Sequence, residues 1–437
     1  MLKRKALAKF EYWKAHKNKQ ALLVDGARQV GKTFLVREFA MQNYTSLAEI
    51  NFLDDDLAAE AASTATNAGE LFTRLTAFFN QPLIPHETLI FLDEIQSCAN
   101  VTTAIKFLVD RHPEYDYILS GSLLGVELRN IKSIPVGYLD SLTMYPLDFE
   151  EYCWAKGLSQ HAIDAARASF NEREPIDPYL HQKLLGIFHE YLIIGGMPDP
   201  VSRFIQSGNI LDARRAQESI IARYREDISK YAPGQERDIK RIYDLIPAEL
   251  SAQNKRFTIS DIAGDAHIER YENDFAWLVD AGVALPTYNV DEPRPPLAIA
   301  KNHTLFKLFL SDIGLLACIC GMDVTREMLA GRTDILFGAI YENAVAQELI
   351  AHGFSLYYFK NKSMGELDFL VETSLMRVLP LEVKSGKTYK RHSALTKALN
   401  TENYQFEEAI VLYEGNVLAE DNITYAPIYC AAFLERR

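Results

Sequence analysis

The chain of 437 residues lacks any unbroken apolar run of the roughly 18 or more residues that a membrane-spanning helix requires. Its opening stretch, MLKRKALAKFEYWKAHKNKQ, is basic but has no apolar core of the kind a secretory signal needs. It reads instead as an amphipathic helix with Leu2, Ala6, Phe10 and Trp13 along one stripe and lysines around it. Cysteine is scarce: Cys98, Cys153, Cys318, Cys320 and Cys430 are an odd number, scattered, and form no CxxC pair. That argues against a disulfide framework and fits a reducing cytoplasm. Cys318 and Cys320, in LLACIC, have no histidine or third cysteine beside them and fit a core better than a metal site. Positive charge is in deficit, with 46 Lys and Arg against 59 Asp and Glu and a net charge of -13. A surface coated for nonspecific nucleic-acid binding is thereby excluded, and any such binding must be local. Repeats and low-complexity tracts are also missing. What remains is an ordinary soluble composition, 48% apolar and 24% charged, on a chain long enough for two to four domains at about 150 residues each.

The first chemistry lies in ALLVDGARQVGKTFLVREFA, residues 21 to 40: a short apolar strand, then Gly26-Ala27-Arg28-Gln29-Val30-Gly31-Lys32-Thr33, then a helical pattern. This is a P-loop in its proper context of strand, glycine-rich turn and helix. The glycines let successive backbone N–H groups curl around phosphates at the positive end of the helix. Lys32 is expected to reach the β and γ phosphates and Thr33 to ligate Mg2+. TLIFLDEIQ, residues 88 to 96, predicts a buried parallel strand ending in Asp93 and Glu94. Asp93 suits the magnesium ion, and Glu94 suits polarising the attacking water, which favours hydrolysis over binding alone. A third apolar run, YDYILSGS at 115 to 122, ends in Ser120 and Ser122. They either meet the γ phosphate or its water, or simply turn the chain.

GARQVGKT, LIFLDEIQ, LSGS, MYPLDFEEY (144 to 152) and GGMPDP (195 to 200) follow one another in an order that resembles a large family of bacterial and archaeal AAA-type ATPases. Members of that family carry a C-terminal domain of unknown function, and the resemblance runs over essentially the whole chain. It implies a helical lid over the nucleotide from 151 to 235, with Gly195-Gly196 as a hinge; the plainer reading of the pair is a helix stop. Relatives tend to have a Gly-Arg pair ahead of the Tyr-Pro-Leu motif, where this chain has Gly137-Tyr138. An arginine finger is worth about three to five powers of ten in turnover. Arg129, Arg223 and Arg225 are the substitutes on offer, and slow hydrolysis or switching is the alternative.

Residues 240 to 290 resemble a winged helix-turn-helix. The would-be recognition helix, HIERYENDFAWLVDAG, sets Glu269, Glu272, Asp274 and Asp280 against Arg270, which favours protein or domain contact over base reading. PRPP at 293 to 296 marks a stiff loop or a boundary, and KLFLSDIGLLACICG reads as apolar packing.

Towards the end, DFLVE (368 to 372) and LPLEVKSG (379 to 386) predict adjacent strands. Glu382 and Lys384, two apart, share a face. Upstream, LFGAIYENAVAQELIAHGF predicts a helix whose Glu342 shares a face with Val345, Ala346 and Leu349. A carboxylate there needs a partner or a cation, or a backbone donor at the helix edge. In order and element type, Glu342, Asp368, Glu382 and Lys384 resemble the restriction-endonuclease-like fold. That resemblance implies carboxylates binding Mg2+ to activate water, with the lysine as a catalytic group. Lys360, Lys362, Lys384, Lys387, Lys390 and Arg391 gather around these motifs, either to track a phosphate backbone or as solvated loop lysines.

The expectation is an α/β chain: a parallel-sheet P-loop domain of AAA type (1 to 150), a helical lid (151 to 235), a winged-helix-like segment (236 to 300) and an α/β restriction-endonuclease-like domain (301 to 437). ATP and Mg2+ are the expected cofactors, and Glu94, Lys32 and Lys384 the catalytic candidates. Nucleotide contacts are expected from residues 26 to 33, Asp93 and Ser120, and metal contacts from Thr33, Asp93, Glu342, Asp368 and Glu382. The expected partners are DNA or RNA, or proteins, with no membrane and with self-association open. The C-terminal domain either cleaves or only binds.

Overall fold

A computed structural model describes residues 2–17, 20–122, 137–232, 234–252, 271–330, 337–373, 376–386 and 388–436. The chain divides into two compact units: Arg4–Tyr145 with Asp280–Gly282, and Pro146–Val279 with Val283–Arg437 and the first three residues.

In the first unit the order is α1 (Ala6–His16), β1 (Ala21–Asp25), α2 (Lys32–Asn43), β2 (Ser46–Asn51), α3 (Asp56–Ser63), α4 (Ala68–Thr76), β3 (Thr88–Asp93), α5 (Ala99–Arg111), β4 (Asp116–Ser120) and β5 (Leu139–Thr143). The strands form one sheet in the order β2-β3-β4-β1-β5, parallel at every pairing. Every residue of β3 is buried, as a central parallel strand covered on both faces requires. Because the strands run the same way, the ends of β1, β3 and β4 meet at one edge, and Val24 stands opposite Ser120. This is the carboxyl edge where open α/β sheets bind ligands. Ile50, Ile90, Leu92, Val101 and Ile105 are among the residues that fill one face. Of the expected stripe, Phe10 and Trp13 are buried on α1 and Ala6 is half-buried, whereas Leu2 precedes the helix.

The second unit opens with helices α6 (Phe149–Ala155), α7 (Gln160–Glu172), α8 (Pro178–Ile194), α9 (Pro198–Ser207), α10 (Ile210–Tyr231), α11 (Glu236–Ser251) and α12 (Glu272–Asp280). It continues through β6 (Ala284–Val290), β7 (Lys301–Leu310), α13 (Ile313–Cys320), α14 (Met322–Leu329), α15 (Phe337–Ala351), β8 (Tyr357–Asn361), β9 (Gly365–Glu372), β10 (Val378–Val383), α16 (Ser393–Leu399), β11 (Ala409–Tyr413), β12 (Leu418–Glu420) and β13 (Ile423–Pro427). These strands form a mixed eight-stranded sheet in the order β12-β13-β11-β10-β9-β8-β6-β7. β8, β9 and β10 are antiparallel neighbours, whereas β11 returns parallel to β10.

Three expectations change. The helices from 149 to 251 fall in the same compact unit as the eight-stranded sheet. The reason is a buried polar seam on α15. Its Asn343 bonds both backbone groups of Leu310, Gln347 accepts from Ile313 N at 2.8 Å, and Glu348 accepts from Phe149 N at 2.9 Å. Tyr191 of α8 lies 2.8 Å from Gln347 and 3.1 Å from Glu348. Such groups, once paired, are costly to separate.

The second change concerns Gly195-Gly196, where Gly195 caps the end of α8, the plainer of the two readings. Gly196 N donates to Asp312 at 2.6 Å, Leu147 N donates to Gly196 O at 2.7 Å, and a Cβ on Gly196 would stand 2.0 Å from Leu147 O. The pair is a packing joint. Asp312 also caps α13 through Leu315 N at 2.9 Å, so the LSDIG stretch carries a buried carboxylate where apolar packing was expected. Burial pushes its pKa up to about 6. The third change concerns the boundary at 301. PRPP lies inside the connection between β6 and β7, and β6 pairs with both β7 and β8, so the C-terminal sheet begins by Ala284. Residues 253–270 of the winged-helix-like segment lie outside the described residues. No described helix is long and apolar enough to cross a membrane.

Candidate functional site

The P-loop leaves β1 through Gly26, whose φ of 131° no side chain adopts without strain. A Cβ there would stand 2.2 Å from Met144 O. Gln29 (φ 69°) and Gly31 (φ 94°) also occupy the left-handed region, which curls the loop onto the start of α2. Ala27 and Val30 are buried, while Arg28 and Gln29 are half-exposed. Lys32 is 6% exposed, and its ammonium donates to the carbonyls of Gly26 and Ala27 at 2.8 and 2.9 Å. Burial lowers its pKa to about 8, against the pull of Glu94, Asp93 and Asp25.

Thr33 donates to Asp93 Oδ2 at 2.7 Å, and Ser120 donates to Asp93 Oδ1. Burial raises the Asp93 pKa although these hydroxyls oppose it. Glu94 sits in the left-handed region at φ 54°, and its Oε2 accepts from Ser122 Oγ at 3.0 Å and from Gln96. The structure therefore brings Lys32, Thr33, Asp93, Glu94 and Ser120 to one sheet edge. Thr33 and Asp93 are the pair positioned to share a magnesium ion beneath bound phosphates. One contributor was missed: Arg4 donates to Val30 O at 2.9 Å and to Tyr145 O at 2.6 Å, tying the loop to the segment after β5. Its lysine-rich surroundings hid it. Of the candidate finger arginines, Arg225 is paired with Asp244 at 2.7 Å, Arg223 is exposed, and Arg129 lies outside the described residues.

The second cluster is in the C-terminal sheet. Glu342 on α15, Asp368 on β9, and Glu382 and Lys384 at the end of β10 are brought together, and Lys384 feels the charges of Glu382, Asp368 and Glu342. Lys384 Nζ donates to Glu382 Oε1 at 2.6 Å, and Asp368 Oδ2 accepts from Val383 N at 2.9 Å. Burial raises the Glu382 pKa despite Lys384, and its Oε2 is buried without a hydrogen-bond partner. Lys384 rises above its ordinary value because these carboxylates outweigh its burial. Among the described residues, no three His, Cys, Asp or Glu groups are placed to hold one metal ion.

Two members were missed. Lys307, on β7, is fully buried and stands 2.7 Å from Glu366 and 3.5 Å from Glu342. Glu366, two residues before Asp368, takes Lys360 on its other oxygen at 2.6 Å. Lys307 and Lys360 hold its carboxyl at about 2 against the raising effect of burial. The alternation in GELDFLVE could have flagged Glu366, and the lysine within LFKLFL could have flagged Lys307. The basic patch is in part spent internally, since Lys360, Lys384 and Lys390 are all ion-paired. Lys387 lies outside the described residues.

An AAA domain family model matches residues 18–153. Models of two domains of unknown function match residues 185–326 (DUF8612) and 337–431 (DUF4143). None of the curated proteins compared with the chain matches it. Among solved structures, a Walker-type ATPase of Pyrococcus abyssi is 14% identical, covers 73% of this chain and 96% of its own, and gives a TM-score of 0.45. The ORC1 protein of Aeropyrum pernix in complex with DNA is 15% identical over 75% of this chain and 94% of its own, with a TM-score of 0.29. The Hsp104–ADP complex of S. cerevisiae is 11% identical over 79% of this chain and 42% of its own, with a TM-score of 0.27.

Proposed function

We propose that the chain is an AAA-type ATPase that couples its nucleotide state to a restriction-endonuclease-like domain acting on nucleic acid. At the first site Lys32 and the amides of residues 26 to 33 bind the phosphates of ATP. Thr33 and Asp93 hold Mg2+, Ser120 orients Asp93, and Glu94 polarises the attacking water once it leaves Ser122 and Gln96. An arginine from a second copy of the chain would complete the charge stabilisation that Gly137-Tyr138 does not supply.

The observation that carries the C-terminal half of the reading is topological. A helix bearing Glu342, three antiparallel strands bearing Asp368 and the Glu382-Lys384 pair, then a helix and a parallel strand follow the order of the restriction-endonuclease-like core. The four side chains fall in one charged cluster. Hard carboxylate oxygens, one of them the buried and unpartnered Glu382 Oε2, suit a divalent ion. Such an ion would activate water for attack at phosphorus, and Lys384 is the group placed to steady the developing charge.

The test is incubation with Mg2+ or Mn2+ and single- or double-stranded DNA or RNA, with and without ATP, beside an Asp368→Ala, Lys384→Ala double variant. Metal-dependent cleavage by the parent and none by the variant is expected. No cleavage in any condition sinks the nuclease reading, and binding without cleavage would make the domain a clamp.

A further inference from the structure

Lys307 has no place in the helix and strand set that defines the C-terminal site. It comes from β7, an outer strand of the sheet, and interrupts a run in which Phe306, Leu308, Phe309 and Leu310 are all buried. Its ammonium lies 2.7 Å from Glu366, 3.5 Å from Glu342 and 5.0 Å from the ring of Tyr358. A fully buried ammonium costs several kcal/mol in desolvation unless carboxylates surround it, and a packed apolar side chain would usually serve stability as well or better. Its full burial beside two carboxylates points to a task set by the groups it faces.

We propose that Lys307 is a resident cation of the C-terminal site. Its ammonium takes the place of a second divalent ion beside Glu342, leaving Asp368 and Glu382 to ligate a single one. The inference rests on the metal-binding reading of that site. Formal charge supports it: Glu342, Glu366, Asp368 and Glu382 give -4, and Lys307, Lys360 and Lys384 give +3, a sum of -1. One divalent ion and one phosphodiester bring that sum to zero, whereas two ions would leave an excess of two positive charges in a buried pocket. Glu382 Oε1 is taken by Lys384, and its Oε2 is buried with no hydrogen-bond partner.

The experiment counts Mn2+ bound per chain, by calorimetry and by the electron paramagnetic resonance of free Mn2+. It uses the full chain without nucleotide, carrying Asp93→Asn to silence the first site. This parent should bind one ion, and Asp368→Asn should abolish it. Lys307→Met, and Lys307→Met with Glu366→Gln, which keeps the formal charge sum, should bind a second ion or bind the first about ten to a hundredfold more tightly. Mn2+ should also raise their melting temperatures more than the parent's. Folded Lys307 variants with the parent's stoichiometry and affinity overturn the proposal, as does failure of both variants to fold with Mn2+ present, which would make the ammonium purely structural. A parent that binds no Mn2+ and is indifferent to Asp368→Asn overturns instead the metal-binding reading beneath it.

Discussion

Nucleotide affinity should fall as pH rises from 7 to 9, and Lys32 sets the size of the effect. In the nucleotide-free loop its ammonium is buried against two carbonyls, and burial lowers its pKa to about 8. Phosphate oxygens bind the charged form, so each unit of pH above 8 removes roughly tenfold of the binding-competent lysine. With a pKa of about 8, roughly nine in ten lysines carry the proton at pH 7 and one in ten at pH 9. The dissociation constant should therefore rise about tenfold, or about 1.4 kcal/mol. A lysine at its ordinary 10.5 would leave it flat. The nucleotide-free domain should respond in the opposite direction. Its folded lysine pKa is depressed, the unfolded chain binds more protons between 8 and 10.5, and stability therefore gains over that window. The assay is equilibrium titration with a fluorescent ADP analogue at fixed Mg2+ from pH 6.5 to 9.5. Thr33→Ala serves as a control that weakens binding while keeping the slope. A constant affinity between pH 7 and 9 in the parent would refute the argument.

Three further outcomes are expected. Glu94→Gln should keep nucleotide binding and lower single-turnover hydrolysis by about a hundredfold or more; an unchanged rate removes that residue's assigned role. Gly196→Ala places a Cβ 2.0 Å from Leu147 O and disturbs the amide bond to Asp312. It should cost upward of about 3 kcal/mol, read as a lower melting temperature of the second unit, and a parent-like melt would restore the hinge reading. Glu366 has its folded pKa depressed from 4.5 to about 2, so its contribution is present above pH 4.5 and is lost as pH falls towards 2. The stability gap between the parent and Glu366→Gln should accordingly be widest near neutrality and close in acid. A gap independent of pH would mean the Lys307 and Lys360 pairs contribute nothing.

The legible parts of this molecule are those whose determinants are contiguous. The P-loop and the Asp93-Glu94 strand could be placed because each motif carries its own secondary structure, and parallel strands then bring their ends to one edge. The Glu342, Asp368, Glu382 and Lys384 set was readable for the same reason, from helical and strand periodicity within about forty residues. What escaped depends on distant partners. Gly195-Gly196 reads as a hinge or a helix stop until Leu147 and Asp312 reach Gly196 from 49 residues before and 116 after. Lys307 reads as a strand lysine until β7 is added at the far side of β6 and its side chain meets α15 and β9. PRPP looked like a boundary because a proline-rich connection between two antiparallel strands has the same letters as a linker between domains.

The two buried lysines also separate the two sites by how readily each gives up its cation's partners. Lys32 is held by neutral carbonyls, hydrogen bonds of about 1.5–3 kcal/mol each when the donor is charged, and arriving phosphates replace them with stronger, charge-assisted ones. Exchange is favourable, as a loop that must load and release nucleotide requires. Lys307 is held by carboxylates in a fully buried setting. Removing one partner of such a pair costs about 3–5 kcal/mol, so a divalent ion seeking the oxygens of Glu342 that face Lys307 starts at a disadvantage of roughly a hundred to several thousandfold. The first site is thus built to turn its partner over. The second holds its cation between carboxylates, with Lys307 set between Glu366 and Glu342.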